Sequence, residues 1–310
     1  MIKIYGKHIF YFSIVSILLS VITLMTGSLY LLINERIISV ICLLLIISIG
    51  ISHGAMDNHK ARKLLKNYKQ NGKIIFYIIY ILICFFVILL WNLFASFTLL
   101  SFLIVASYHF GREDTSFLYK GKSFIDQFFY LTKGSIIVFA PLFFHIDETL
   151  SIFEILFLND QILFFLQNKH WIINICLSLC TLGYFYFILK NRFKDFEIFL
   201  LDLFSILILN YTFTPLIAFT IYFCFLHSVR HIISISFELN ENSFWNGFAV
   251  FLKKALPLTV LTAFLYLITV VFLSNTYGLN DVITKVIFIG LASLTFPHIL
   301  LEYLIETNEK

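Results

Sequence analysis

The chain of 310 residues is 60% hydrophobic and 13% charged, and its mean hydropathy is +0.93. Soluble domains are about 45–50% apolar and about 25% charged, so this composition argues against a soluble enzyme, a disordered chain and a nucleic-acid-binding protein. The formal net charge of +4 indicates no polyanionic partner, because the basic residues punctuate apolar stretches, and the chain as a whole has the composition of an integral membrane protein.

Ten apolar stretches follow one another, each near the length of about 20 residues that a membrane-spanning helix needs. In chain order they are 9–33, 37–53, 74–91, 93–110, 124–145, 170–189, 196–211, 214–236, 255–273 and 282–305. Asp126 and Lys133 interrupt the fifth stretch, and residues 148–168 carry three acidic residues, which indicates a segment at the membrane surface. Since the sequence contains no Pro/Gly/Ser linker, it predicts one all-α domain over 1–310, a polytopic integral membrane helix bundle.

The lysines and arginines give the expected orientation, because cytoplasmic loops of membrane proteins carry an excess of basic residues. If the first helix runs from inside to outside, seventeen of the 22 basic residues lie in inner segments and three in outer ones. We therefore expect about ten transmembrane helices in the inner (plasma) membrane, with both termini in the cytoplasm. The first helix is longer than the core of a signal peptide and no A-x-A site follows it, so we expect it to be retained.

Five of the nine histidines share one predicted depth in the membrane, and they are His53, His109, His227, His231 and His298. Each comes late in a helix that runs from outside to inside, which places all five in the cytoplasmic half of the bilayer. Ionisable groups in this environment normally face the bundle interior or a wet cavity. His227 and His231 share one helix face, so their imidazoles can reach one metal ion. Imidazole suits iron, zinc, copper and nickel, so the pattern predicts a metal site without identifying the metal.

Carboxylates accompany these histidines at helical spacing. Asp57, Asp114 and Glu302 each follow one of the histidines by four or five residues. A metal-bound histidine usually donates its other N–H to a carboxylate, a carbonyl or a water. Each of the three acidic residues is therefore expected to be a hydrogen-bond partner of a ligand or an alternate ligand.

Other residues in these segments have open or structural interpretations. Arg230 is expected either to pair with a carboxylate such as Glu238 or Asp114, or to extend to the inner lipid headgroups. Gly54 directly follows His53 and Gly111 lies two residues after His109, where a helix could end or another backbone could approach closely. The cysteines form no C-x-x-C pair and are interpreted as small core residues without assigned function, at Cys42, Cys84, Cys176, Cys180 and Cys224.

The histidine strings resemble those of the Brp/Blh family, the membrane-bound β-carotene 15,15′-dioxygenases of bacteria and archaea. The similar strings are HGAMD at His53, HFGRED at His109, HSVRH at His227 and PH at Pro297–His298. This chain departs from the family pattern at Arg112, where members commonly carry an acidic residue. The resemblance implies an iron(II) enzyme that uses O2 to cleave the central 15,15′ double bond of β-carotene into two molecules of retinal.

The resemblance also implies roles for individual residues. The Fe(2+) ligands and catalytic residues would be His53, His109, His227 and His231. His298 would be a residue near the site or an alternate ligand, and Asp57 and Asp114 would be partners of the ligands. The implied partners are β-carotene or a related carotenoid, O2, membrane lipid and, through retinal, a microbial rhodopsin.

Two other functions stay open at this point. Another membrane metal-dependent lipid or polyene oxidase, of the hydroxylase or desaturase type, would be expected to carry several HxxxH and HxxHH boxes, whereas this chain has one HxxxH inside a predicted helix. A non-enzymatic transporter would be expected to show inverted repeats or helices broken by Gly and Pro in matching halves. No such repeat is evident, and the chain holds 4 Pro and 12 Gly.

Overall fold

The computed structural model describes residues 2–27, 34–52, 54–64 and 72–308, and every regular element in these ranges is helical. The α-helices are α1 Ile2–Met25, α2 Glu35–Leu45, α3 Asp57–Leu64, α4 Gly72–Leu93, α5 Ala95–Ser116, α6 Phe124–Gly134, α7 Ile136–Phe144, α8 Ile146–Ile155, α9 Asp160–Asn168, α10 His170–Lys190, α11 Phe196–Thr212, α12 Pro215–Ile221, α13 Val229–Leu239, α14 Phe244–Leu273 and α15 Leu279–Asn308. The all-α prediction is confirmed for this part of the chain, and His53 lies outside the described residues.

Eight helical stretches of the described residues are long and apolar enough to cross a membrane. They are Ile2–Met25, Glu35–Arg62, Gly72–Leu93, Phe124–Phe144, His170–Lys190, Pro215–Leu239, Phe244–Leu273 and Leu279–Ile305. The other two predicted spans, 93–110 and 196–211, also lie in helices, namely α5, which ends in a polar segment, and α11, which has 17 residues. The chain is thus a multi-pass helical membrane protein.

Large apolar side chains cover much of the outer surface of this bundle. Ile81 and Phe85 of α4 are each 64% exposed, and Val271 of α14 is 69% exposed. A water-soluble protein rarely exposes apolar patches of this extent, whereas lipid tails solvate them well. Because lipid offers no hydrogen bonds to the backbone, such segments have to be helical.

The fifth predicted span is built from two helices, α6 and α7, and its charged residues have local partners. The Asp126 carboxylate caps α6, accepting hydrogen bonds from the Ser123 backbone N–H at 2.9 Å and from the Tyr186 hydroxyl at 2.8 Å. The buried Lys133 ammonium lies 4.7 Å from the centre of the Tyr184 ring. These contacts explain how a stretch with internal charges forms part of the bundle. Residues 148–168 form most of α8, the turn at 156–159 and α9, and each of these short helices rises at most about 15 Å, too little to cross a membrane.

α5 and α6 cross with their backbones in close contact at Gly111 and Gly134. A Cβ at Gly111 would lie 1.8 Å from the Tyr130 carbonyl oxygen, and one at Gly134 would lie 1.8 Å from the Ser107 carbonyl oxygen. Only glycine permits this approach. α5 continues through Gly111 to Ser116, so this glycine marks a close contact rather than the end of a helix. The crossing fixes the segment of α5 that carries His109.

Two π-helical turns pack against each other beside this segment. One, Ile46–Gly50, continues α2, and the other, Tyr222–Ser228, joins α12 to α13. The Ser228 hydroxyl donates a hydrogen bond of 3.0 Å to the Gly50 carbonyl oxygen. Because a π-turn contains an extra residue, it rotates the side chains that follow relative to a regular α-helix, and such turns are frequent at functional sites.

Candidate metal centre

Four of the five predicted histidines come together in the interior of the bundle. They are supplied by α5, by the π-turn before α13, by α13 and by α15, and they are His109, His227, His231 and His298. Each is at most 5% exposed. The ring centres of His109 lie 5.4 Å from His227 and 5.3 Å from His298, and those of His231 and His298 lie 5.6 Å apart. Residues distant in sequence therefore form one compact imidazole cluster.

Three of these imidazoles have a carboxylate beside Nδ1. The nitrogen–oxygen pairs are His298 and Asp57 at 2.8 Å, His227 and Asp114 at 3.1 Å, and His231 and Glu113 at 3.3 Å. A carboxylate in this position fixes the orientation of the ring and points Nε2 the opposite way, as in many metal sites. Each carboxylate thus contacts a histidine from a different helical segment, and not the histidine four or five residues before it in the sequence. The sequence did not single out Glu113 for such a role.

Two of these carboxylates also accept a hydrogen bond from a tyrosine hydroxyl, on the oxygen that does not contact the histidine. Tyr222 donates a hydrogen bond of 2.6 Å to Asp114 Oδ2, and Tyr80 donates one of 3.0 Å to Asp57 Oδ2. Each tyrosine lies in a different helical segment from the carboxylate that it contacts. These tyrosines could not be recognised among the 16 in the sequence, because only the packing of the helices brings them to their partners.

Glu302 and Lys60 both contact the imidazole cluster, and a Glu302 oxygen also lies close to Glu113. Glu302 Oε1 lies 3.6 Å from His298 Nε2 and 3.8 Å from His231 Nε2, and Oε2 lies 3.6 Å from His109 Nδ1. The Lys60 ammonium donates a hydrogen bond of 2.7 Å to Glu302 Oε1 and lies 3.0 Å from His231 Nε2. Lys60 was interpreted from the sequence only as a loop cation that marks the cytoplasmic side.

Arg230 forms a buried ion pair beside the cluster. Its guanidinium binds the Asp202 carboxylate with two hydrogen bonds, one of them 2.9 Å from Nη1 to Oδ2. Nη1 also lies 3.9 Å from Asp114 Oδ1, and Arg230 is 3% exposed. Of the alternatives left open by the sequence, pairing with carboxylates is therefore correct and extension to the lipid headgroups is wrong. The principal partner, Asp202 on α11, was not foreseen.

The cluster lies between an apolar cleft and a polar pocket. The cleft holds about 650 Å³ of empty space, its open side included, and apart from Ser107 and Thr149 all its lining side chains are apolar. Phe110 lines the cleft, and its ring centre lies 4.7 Å from that of His227. The pocket holds about 380 Å³ and is lined by polar groups, among them Glu113, Asp114, His227, Arg230 and His231. Along α5, the residues that line the cleft end at Phe110 and those that line the pocket begin at Glu113.

The donor set fits a divalent transition metal. One ligand atom from each of His109, His298 and Glu302 can be chosen so that all lie within 4.8 Å of one another, and the same holds for Glu113, His231 and Glu302. Imidazole nitrogens combined with carboxylate oxygens are typical ligands of non-haem iron(II) in oxygenases. The carboxylates at Nδ1 add the orienting contacts that metal-binding histidines usually have. Of the predicted histidines, these two sets contain His109, His231 and His298 but not His227, and His53 lies outside the residues that the structure describes.

Matches to known proteins extend over all the helices that form the cluster. A sequence model of the beta-carotene 15,15'-dioxygenase family matches residues 44–306. The beta-carotene 15,15'-dioxygenase of uncultured marine bacterium 66A03 is 27% identical over 267 residues, which are 84% of this chain and 90% of that relative. No solved structure matches the chain. The matched range contains every histidine and carboxylate of the cluster.

Proposed function

This chain belongs to the beta-carotene 15,15'-dioxygenase family, and we propose that it cleaves the central 15,15′ double bond of β-carotene to two molecules of retinal with iron(II) and O2. The family confirms the predicted enzyme class, a carotenoid-cleaving dioxygenase. The observation that carries the proposed reaction is the cluster of buried histidines and carboxylates next to an apolar cleft. A cluster of potential metal ligands beside an apolar binding space suits oxidation of a hydrocarbon.

The residues that would hold Fe(2+) are His53, His109, His227 and His231, with His298 as an alternate ligand. Bound iron(II) would supply the redox activity that lets triplet O2 react with a closed-shell polyene. Asp114 orients the His227 ring through Nδ1, and Glu113 lies in the same relation to His231. Because the contact between Asp114 and His227 is buried, this imidazole is held in place before substrate arrives.

The apolar cleft is the proposed binding space for one half of the carotenoid. Its wall on α5 runs from Leu99 to Phe110, a rise of about 16 Å that ends beside the imidazole cluster. Apart from the hydroxyls of Ser107 and Thr149 the lining is apolar, so it offers few hydrogen bonds that would hold a polar metabolite. Since Phe110 is next to His109 in sequence and contacts His227, a polyene bond that reaches its ring would lie beside the histidines that would hold the iron. The apolar product retinal would leave into the lipid.

Filling this cleft should block the reaction without disturbing the metal. We expect Leu103→Trp to lower the rate of retinal formation at least about tenfold, because displacing a bound substrate by about 1 Å can cost about 100-fold. Leu100→Trp is the matched control, since Leu100 is on the same helix but 39% exposed on its outer face. Retinal formation and iron content are measured for both variants. Wild-type turnover in Leu103→Trp would show that the carotenoid binds elsewhere.

Membrane placement completes the proposal. We propose ten crossings of the inner (plasma) membrane, which add α5 and α11 to the eight long apolar stretches, with both termini in the cytoplasm and one domain over 1–310. The distribution of the lysines and arginines supports this orientation. The proposed partners are β-carotene or a related carotenoid, O2 and the surrounding lipid. Retinal released into the membrane could supply a microbial rhodopsin.

The reaction can be tested in bacteria that accumulate β-carotene. Expression of the wild-type chain should remove the orange colour and produce retinal on liquid chromatography, and His53→Ala should do neither. If wild-type protein is in the membrane with iron bound and carotene persists, the proposed substrate is wrong. A metal-dependent oxidase of another polyene or lipid then becomes the better interpretation.

A further inference from the structure

The four carboxylates of the centre fall into two groups by the face of the imidazoles that they contact. Asp57, Asp114 and Glu113 each lie next to an Nδ1 atom, behind the ring. Glu302 instead lies next to the Nε2 atoms of His298 and His231, and its other oxygen lies 3.6 Å from Nδ1 of His109. A metal bound by those Nε2 atoms would therefore lie on the side of the rings that Glu302 occupies.

The distances around Glu302 match those between atoms that bind one ion. With bonds of about 2.1 Å, as first-row metals form with nitrogen and oxygen, two ligand atoms lie about 3.0–4.2 Å apart. The Glu302 oxygens lie 3.6, 3.6 and 3.8 Å from nitrogens of His298, His109 and His231, respectively. The Glu302 carboxylate thus has ligand spacing to three imidazoles, in two sets that share it: one with His109 and His298, and one with His231 and Glu113.

We propose that Glu302 is a direct ligand of the iron and that His298, one turn before it on α15, binds beside it. This inference rests on the proposed iron site and changes its ligand set from histidines alone to histidines with a carboxylate. α15 would then contribute a pair of ligands at i, i+4 spacing, as His227 and His231 do. Oxygenase sites that combine histidines with one carboxylate keep open positions for O2 and substrate.

Lys60 competes with the metal for the same atoms. Its ammonium lies 2.7 Å from Glu302 Oε1 and 3.0 Å from His231 Nε2, so an ion that binds both atoms has to displace it. Two cations cannot share these ligands at such distances without strong repulsion. Lys60→Met should therefore tighten iron binding, because Glu302 then has no competing cation.

The test compares replacements of Glu302 that differ in their ability to bind a metal. Glu302→Gln removes both the charge and the ligand, whereas Glu302→His removes the charge but supplies a new ligand atom. Purified proteins are titrated with iron(II), and iron content is measured by mass spectrometry. Asp281→Asn, in the first turn of the same helix, is the control for loss of an acidic residue on α15.

We expect Glu302→Gln to weaken iron binding by more than about 100-fold, beyond the range for residues that only orient a ligand. Glu302→His should recover most of this loss, and Asp281→Asn should bind iron like the wild type. Equal binding by Glu302→Gln and wild type would overturn the inference, as would restoration of binding in a Lys60→Met/Glu302→Gln double variant, which would reduce Glu302 to a partner of Lys60.

These outcomes are separate from the fate of the proposed function. Wild-type protein that binds iron and forms retinal supports the function whatever the Glu302 variants do. If Glu302→Gln fails to fold, Lys60→Met decides the question, since it leaves Glu302 in place and unchanged iron affinity in it contradicts the competition. Wild-type protein that forms retinal without iron would instead refute the iron site on which the inference rests.

Discussion

His227→Ala and His231→Ala are each expected to abolish bound iron and carotene cleavage while leaving the protein in the membrane. Both side chains are buried in the imidazole cluster, and alanine leaves no nitrogen at either position. Loss of a residue that merely orients a ligand costs about 10–100-fold in metal affinity or activity, and loss of a ligand should exceed that. Iron content of the purified variants and retinal formation in carotene-producing bacteria measure the two effects.

Packing around His227 requires a second variant in this experiment. Its ring contacts those of Phe110 and Phe223, so alanine leaves a cavity that destabilises the bundle. His227→Gln retains most of the volume and lacks the imidazole. His170→Ala, at an exposed position of α10, controls for the loss of a histidine as such. Normal iron and normal turnover in any of the cluster variants would show that the ligand assignment is wrong.

The sequence predicts the existence of the site because its two signals are local. Apolar runs of nearly 20 residues require helices in lipid, and the lysines and arginines between them predict which ends are cytoplasmic. His109, His227, His231 and His298 then share a depth by simple counting, and the structure brings all four together. No knowledge of which helix contacts which was needed for that step.

The pairing within the site could not be predicted in the same way. Lys60 and Glu302 are 242 positions apart, and their contact depends on how α3 packs against α15. In the sequence, Lys60 is one of the basic residues that predict the cytoplasmic side of the membrane. Its charge alone gives no indication that it contacts the histidine cluster. Asp57 and Asp114 have the predicted kind of role, but their histidines come from other helices, because a side chain on a packed helix faces its neighbour.

Helix geometry explains a further difference between prediction and structure. The sequence pattern predicts one regular helix over 214–236, whereas the structure contains a π-turn at Tyr222–Ser228. This turn carries both Tyr222 and His227, which hold the two oxygens of Asp114. Regular hydrophobic periodicity does not reveal a π-turn, so the partner tyrosine could not be placed from sequence.

Asp202→Asn is expected to destabilise the protein strongly, because it leaves the buried Arg230 guanidinium without its main partner. Removing one member of a buried ion pair costs about 3–5 kcal/mol, most of it the penalty of an uncompensated charge. Arg230 is 3% exposed and bound to Asp202 by two hydrogen bonds. Thermal unfolding in detergent should show a clear loss of stability, and Glu197→Gln, an exposed carboxylate on the same helix, should show none.

Asp202→Asn should also weaken iron binding at the proposed metal centre. Arg230 Nη1 already lies 3.9 Å from Asp114 Oδ1, the oxygen that contacts His227 Nδ1 at 3.1 Å. Once Asp202 is neutral, Arg230 has Asp114 as its nearest carboxylate, and competition for that oxygen loosens the His227 ring. Iron affinity should fall together with stability, and Asp202→Asn/Arg230→Gln, which removes both charges, should recover both. Wild-type stability of Asp202→Asn would mean that the buried pair contributes nothing to the fold, and recovery of stability without recovery of iron binding would mean that Arg230 itself positions Asp114.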